Sequence, residues 1–139
     1  MILSRREALV LALGTVAAAA IPLPALASVD EAIAAFTGGA EIGTGPGVTL
    51  TAPEIAENGN TVPIAVDAPG ASAILILATG NPTPAVATFK FGELAGSQMA
   101  STRIRLSKTQ EVVAIAKLAD GSFVRASSEV KVTIGGCGG

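Results

Sequence analysis

The chain has 139 residues, with 9 basic and 11 acidic side chains, no histidine, tryptophan or tyrosine, and one cysteine. That length holds one ordinary domain behind a targeting segment, the slight acidic excess leaves no basic patch for a nucleic-acid backbone, and one cysteine cannot form an internal disulfide. Aliphatic side chains must therefore hold the fold, and an apolar fraction of 50% against 14% charged leaves surface enough to meet another chain.

Residues 1–27 read as an export signal. Ser4-Arg5-Arg6 precedes an apolar run from Ala8 to Ala20; Pro22 and Pro24 follow, and Ala25-Leu26-Ala27 offers small residues to a signal peptidase. Cleavage is expected after Ala27, with no stable membrane association afterwards. Left uncleaved, Ala8 to Ala27 would approach the ~20 residues that span a bilayer. The arginine pair is the address of the Tat route, which exports folded proteins, so the expected location is the periplasm. Folded export often serves a cofactor loaded in the cytoplasm, yet this chain offers no ligands for one. It has no histidine, no methionine beyond Met1 and Met99, and no phosphate-binding glycine loop. No cofactor is expected, and a bound partner without its own signal explains the route instead.

Ser28-Val29-Asp30-Glu31 has the spacing of a capping box ahead of Ala32-Ile33-Ala34-Ala35-Phe36, and Gly38-Gly39 supplies a stop. A short helix is expected, packing through Ile33 and Phe36. Beyond it the apolar period falls to two. Val48, Leu50 and Ala52 alternate with threonines; after the turn-like Glu57-Asn58-Gly59-Asn60, Val62, Ile64 and Val66 alternate with Pro63 and Ala65. Pro63 places its strand near a sheet edge, because proline gives the ladder no N–H.

Ala73 to Ala78 does not alternate. Both faces of that strand are apolar although a two-sheet sandwich buries only one, so the other face needs a cover. Asn81-Pro82-Thr83-Pro84 reads as a rigid loop, after which Ala85, Ala87, Phe89 and Phe91 share one face against Val86, Thr88 and Lys90. Ala100, Thr102, Ile104 and Leu106 alternate with Ser101, Arg103, Arg105 and Ser107, so Arg103 and Arg105 project together into solvent, where they suit a partner or an anion. Val112 to Leu118 is again apolar on both faces. Asp120-Gly121 signals a two-residue hairpin before Phe123, and the last strand turns Val130, Val132 and Ile134 inward. About seven short strands and no helical crossover give an all-β, immunoglobulin-like sandwich. Glu54, Glu57, Asp67 and Asp120 fall in turns or at strand ends, where a solvated carboxylate is the ordinary state, so no acid–base or metal role is read into them.

The last strand runs into Gly135-Gly136-Cys137-Gly138-Gly139. Four residues without a Cβ leave such a segment almost no preferred conformation. Extended at roughly 3.3 to 3.6 Å per residue, it can hold the sulfur about 10 Å off the strand, far enough to enter another protein's cleft. A core thiol needs packing that a glycine-flanked end does not supply. An intermolecular disulfide through Cys137 stays open, and would make the chain an exported adhesion or assembly module. The preferred reading is a reactive thiol that carries something. No histidine, lysine or arginine accompanies it in the arm, so whatever activates the thiol comes from outside.

Several stretches together resemble the SoxY family, the sulfur carriers of thiosulfate-oxidising systems. They are the twin-arginine leader, Phe36-Thr37-Gly38-Gly39, Pro53 through Pro63, Asn81-Pro82-Thr83-Pro84, Thr102-Arg103-Ile104-Arg105, and Val130 through Gly139. The resemblance implies a signal peptide over 1–27, an immunoglobulin-like domain over 28–134 and a carrier arm over 135–139. It also implies a heterodimer with a second sandwich protein, SoxZ, and a thiosulfate-derived sulfur adduct on Cys137. Transient docking would follow to the haem enzyme SoxXA, the dimanganese hydrolase SoxB and, where present, the molybdenum and haem enzyme SoxCD. None of those metals is expected on this chain, which on this reading is a non-catalytic carrier.

Overall fold

The computed structural model describes residues 28–135; the expected signal peptide and Gly136, Cys137, Gly138 and Gly139 lie outside the described residues. Helix α1 spans Val29–Thr37 and starts on the expected capping box: Ser28 Oγ accepts the Glu31 N–H at 3.1 Å, and the Glu31 carboxylate accepts the Ser28 N–H at 3.5 Å. It ends at Gly38, in the left-handed region at φ 66°, whose N–H donates back to the Ala34 carbonyl.

Nine strands follow: β1 (Ile42–Gly43), β2 (Thr49–Thr51), β3 (Ile55–Ala56), β4 (Val62–Asp67), β5 (Ala71–Ala78), β6 (Ala85–Lys90), β7 (Met99–Ile104), β8 (Gln110–Leu118) and β9 (Phe123–Val132). One sheet has the order β1-β9-β8-β5-β6, with β3 also on β9, and the facing sheet has the order β2-β4-β7. The fold is the expected immunoglobulin-like sandwich, with two strands more than the expected seven. The extra pair, β1 and β3, run parallel to β9 at Phe123–Val124 and Lys131–Val132. Two residues are too few to show a period.

The sandwich interior is built by alternation. Val62, Ile64 and Val66 of β4 face Ile74, Ile76 and Ala78 of β5 and Val112, Ala114 and Ala116 of β8, with Ile104, Leu106 and Val130 closing the core. Each of the valine, leucine and isoleucine side chains among them contributes roughly 1.5–3 kcal/mol on burial. On the outer face, Leu75, Leu77, Val113, Ile115 and Phe123 form a second cluster against Val29, Ala32, Ile33 and Phe36. The Phe36 and Phe123 rings meet edge to face at 5.7 Å and 71°. The cover that the two-sided strands require is therefore supplied by the chain's own helix.

Four local expectations change. β4 is the central strand of its sheet, not an edge; Pro63 pairs with Arg103 on one side, and β2 reaches only Ala65 to Asp67 on the other, so the missing N–H meets no neighbour there. In β6 a bulge opposite Ile76 and Leu77 sends Val86 to the core with Ala87, Phe89 and Phe91, and Ala85 joins Thr88 on the helix side. The β8–β9 hairpin closes with the Leu118 N–H donating to the Ser122 carbonyl at 2.8 Å, a three-residue loop in which Gly121 takes φ 85°. Finally, β9 stops at Val132, and Ile134, expected inside, is 68% exposed.

Candidate functional site: the root of the C-terminal arm

Strand β9 delivers the chain to a root clamped on two sides. On one side, the Lys131 N–H donates to the Glu54 carbonyl at 2.9 Å, the Thr133 N–H to Ala56 at 3.1 Å, and the Gly59 N–H to Ile134 at 2.7 Å. Thr133 Oγ1 donates to the Glu57 carbonyl at 3.0 Å. On the other side, the Val132 N–H donates to Thr109 Oγ1 at 2.9 Å. The Ser107 carbonyl oxygen lies so near Gly135 that a Cβ there would collide with it. Gly59 ties the two sides together, its carbonyl accepting the Leu106 N–H at 2.7 Å.

Ser107 is itself held by a polar knot around Asn81, a residue only 8% exposed. Asn81 Nδ2 donates to the Arg105 carbonyl at 2.8 Å, while Asn81 Oδ1 accepts the Ser107 N–H at 3.0 Å, Ser107 Oγ at 3.2 Å and Gln110 Nε2 at 2.8 Å. Gln110 Oε1 accepts the Gly80 N–H at 2.9 Å, so the loops at 79–84 and 105–110 are locked to each other. Fully satisfied networks of this kind hold a unique geometry in a low-dielectric setting.

Of the expected site residues, Gly135 is seated in this root, and Gly136, Cys137, Gly138 and Gly139 lie outside the described residues. Asn81, Ser107 and Gln110 were not read as site residues. The stretches beginning at Pro53, Asn81, Thr102 and Val130 are far apart in sequence, and the structure gathers them at one end of the sandwich. Arg103 and Arg105 are exposed as expected. Among the described residues the one ion pair is Arg125 with Glu111 at 3.5 Å, half exposed and worth at most about 1 kcal/mol.

The carboxylates stay apart from the root's chemistry. Glu54, Glu57 and Asp120 are exposed, and Asp67 is half-buried at the end of β4. Ser122 holds the Asp120 carboxyl below its ordinary value by donating its O–H at 2.6 Å and its N–H at 2.9 Å. Among the described residues no group of three or more His, Cys, Asp or Glu could hold a metal ion.

Comparison with known proteins fits this architecture. The family model for sulfur oxidation protein SoxY matches residues 33–137, a span that takes in Cys137. The structure of the sulfur carrier protein SoxY from Chlorobium limicola f thiosulfatophilum is similar at 39% identity and TM-score 0.66, over 77% of this chain and 97% of that one. A superoxide reductase (neelaredoxin) from Ignicoccus hospitalis is similar at 18% identity and TM-score 0.53, over 77% of this chain and 94% of that one. A putative superoxide reductase from Thermotoga maritima reaches 15% and 0.53, over 66% and 93%. Those two share the fold and nothing more is taken from them. A search of the curated proteins found no match. On the family model and the Chlorobium structure together, the chain belongs to the SoxY family of sulfur oxidation proteins.

Proposed function

We propose that this chain is a non-catalytic covalent carrier in thiosulfate oxidation. It holds sulfur intermediates on Cys137 and presents them to partner enzymes in the periplasm after Tat export. The observation that carries the reading is the root: the chain is hydrogen-bonded up to Ile134 and packed at Gly135, and the only cysteine follows two residues later. A rigid socket with a short glycine segment beyond it can present a thiol outside the domain's own surface.

The chemistry suits a carrier. A free thiol with the usual pKa of about 8.5 is only a few per cent thiolate at neutral pH, and the arm supplies no base. Loading joins the thiol to thiosulfate as Cys137–S–S–SO3⁻, releasing one proton and two electrons, which the haems of a SoxXA-type enzyme would accept. Hydrolysis by a SoxB-type enzyme then adds water, leaves Cys137–S–SH and releases sulfate and a proton. A SoxCD-type oxidase, where present, would oxidise the remaining sulfur. A SoxZ-like subunit completes the carrier as a heterodimer, exported together with this chain because only this chain has the signal.

Intact mass of the protein from thiosulfate-grown cells tests the proposal. The expected species begins at Ser28 and carries reductant-labile sulfur on a chain that is not cross-linked to itself. Cys137→Ser is expected to abolish thiosulfate consumption. Recovery only as a Cys137-linked dimer, or wild-type consumption by Cys137→Ser, overturns it.

A further inference from the structure

A cleft of about 230 Å³ opens beside the root of the arm, lined by Asn81, Thr83, Ala85, Val86 and Arg105. It is smaller than the ~300–1,000 Å³ of drug-sized ligand sites, which matches a small ion rather than a cofactor. No carboxylate lines it, and among the described residues the Arg105 guanidinium makes no ion pair. Its walls are stiff. Pro82 and Pro84 fix φ on one wall; on the other, Asn81 Nδ2 holds the Arg105 carbonyl at 2.8 Å.

The cleft and the arm share a support. Asn81, which lines the cleft, accepts the Ser107 N–H at 3.0 Å, and the Ser107 carbonyl packs on Gly135. Two residues of extended chain carry Cys137 up to about 7 Å from Gly135, and its side chain with a bound adduct reaches further. A guanidinium offers paired N–H donors to an oxyanion, and Thr83, which also lines the cleft, carries a hydroxyl that can donate.

We infer that this cleft is a resting site for the anionic end of the cargo: the terminal sulfonate of a Cys137 adduct sits on Arg105 and Thr83 between visits to partner enzymes. The inference rests on the carrier reading above. Docking there turns the labile sulfur–sulfur bond towards the domain surface and away from small thiols. Because the guanidinium is solvent-exposed, retention is weak and the cargo stays releasable.

The test needs no partner enzyme. Treating the full-length protein with tetrathionate lets the Cys137 thiolate displace thiosulfate, which forms Cys137–S–S–SO3⁻ with no added oxidant. Methyl methanethiosulfonate gives the uncharged Cys137–S–S–CH3 with methanesulfinate as leaving group. Reduction of each adduct by dithiothreitol is followed by intact mass. Arg105→Gln is expected to speed release of the anionic adduct about three- to fivefold, the range an exposed charge pair supports, and to leave the methyl adduct unchanged. High salt should act on the wild type as the substitution does. Equal rates for wild type and Arg105→Gln, or equal acceleration of both adducts, overturn the inference. So does an Arg105→Gln variant that releases normally but is turned over slowly by partner enzymes, which would make Arg105 a docking contact. In each case the carrier reading still stands on Cys137→Ser alone.

Discussion

The carbonyl oxygen of Ser107 occupies the space in which a side chain on Gly135 would begin. Gly135 has no left-handed φ, so space alone demands glycine there. The first glycine of the terminal run thus serves packing.

Gly135→Ala is expected to lift the root off the Ser107 loop without unfolding the sandwich, because a chain end can swing aside. The cost should be about 1 kcal/mol, the net worth of one or two hydrogen bonds, and confined to contacts such as Gly59 with Ile134. Amide exchange at Gly59 should rise about fivefold, the rate that ~1 kcal/mol represents, with the β5 amides unchanged. Wild-type exchange at Gly59 would contradict this account.

Asn81→Ala should be far more costly. It strips partners from the Arg105 carbonyl and the Ser107 N–H and removes one of the two bonds that Gln110 Nε2 donates, the other going to the Lys108 carbonyl. Each buried group left unpaired costs about 1–3 kcal/mol, so a total near 3 kcal/mol is expected in urea unfolding. A double-mutant cycle with Gln110→Ala should show coupling of about 1 kcal/mol or more. Additive losses would mean that the two side chains act separately.

Much of this was legible in the sequence, and the misses share a cause. Ser28 and Glu31 announced α1, period-two runs placed β4 and β7, and unbroken apolar runs placed β5 and β8, since all of these signals are local. The unbroken apolar run of β5 announced a covered outer face but not what covers it; that depends on α1 folding back over Leu75 and Val113, a distance no pattern encodes. The bulge at Val86 inserts one residue, which alternation cannot register. Asn81 is bonded to residues 24 to 29 positions away, so its loop could be read as rigid and its network could not.

The helix should matter most to solubility. Phe36→Ala removes the ring that meets Phe123 and thins the cover over Leu75 and Ile115. Phe36 is only half-buried, so a loss of about 2 kcal/mol is expected, below the ~3–5 of a fully buried ring. Binding of a hydrophobic dye should rise together with the lowered unfolding midpoint. A stability loss without new dye binding would show that the sheet face stays covered.

At the far hairpin, Ser122 lowers the Asp120 pKa by hydrogen bonds to the carboxylate. A group whose folded pKa is depressed adds stability above its unfolded pKa and loses it as pH falls through the folded value. The Ser122 amide should therefore exchange faster, relative to the intrinsic rate, as the medium turns acid. Ser122→Ala should raise the Asp120 pKa towards that of a free carboxylate, read by NMR titration, because the larger lowering cause is the Ser122 hydroxyl. An unmoved titration curve would leave the backbone N–H as the whole cause.

Position 136 should behave unlike position 135. Gly135 is fixed by Ser107, so substitution there is expected to register in local stability. The glycines beside Cys137 serve passage into partner clefts on the proposed carrier reading, so substitution there should register in turnover. Gly136→Leu or Gly138→Leu is expected to leave urea unfolding as in the wild type and to slow enzymatic loading on the order of tenfold or more, since misplacing a reacting atom by about 1 Å can cost 100-fold. The tetrathionate reaction, which needs no channel, should proceed at close to the wild-type rate in the same variants. Loss of both reactions would point to a blocked thiol, and loss of neither would mean that small flanking residues are not what partner enzymes require.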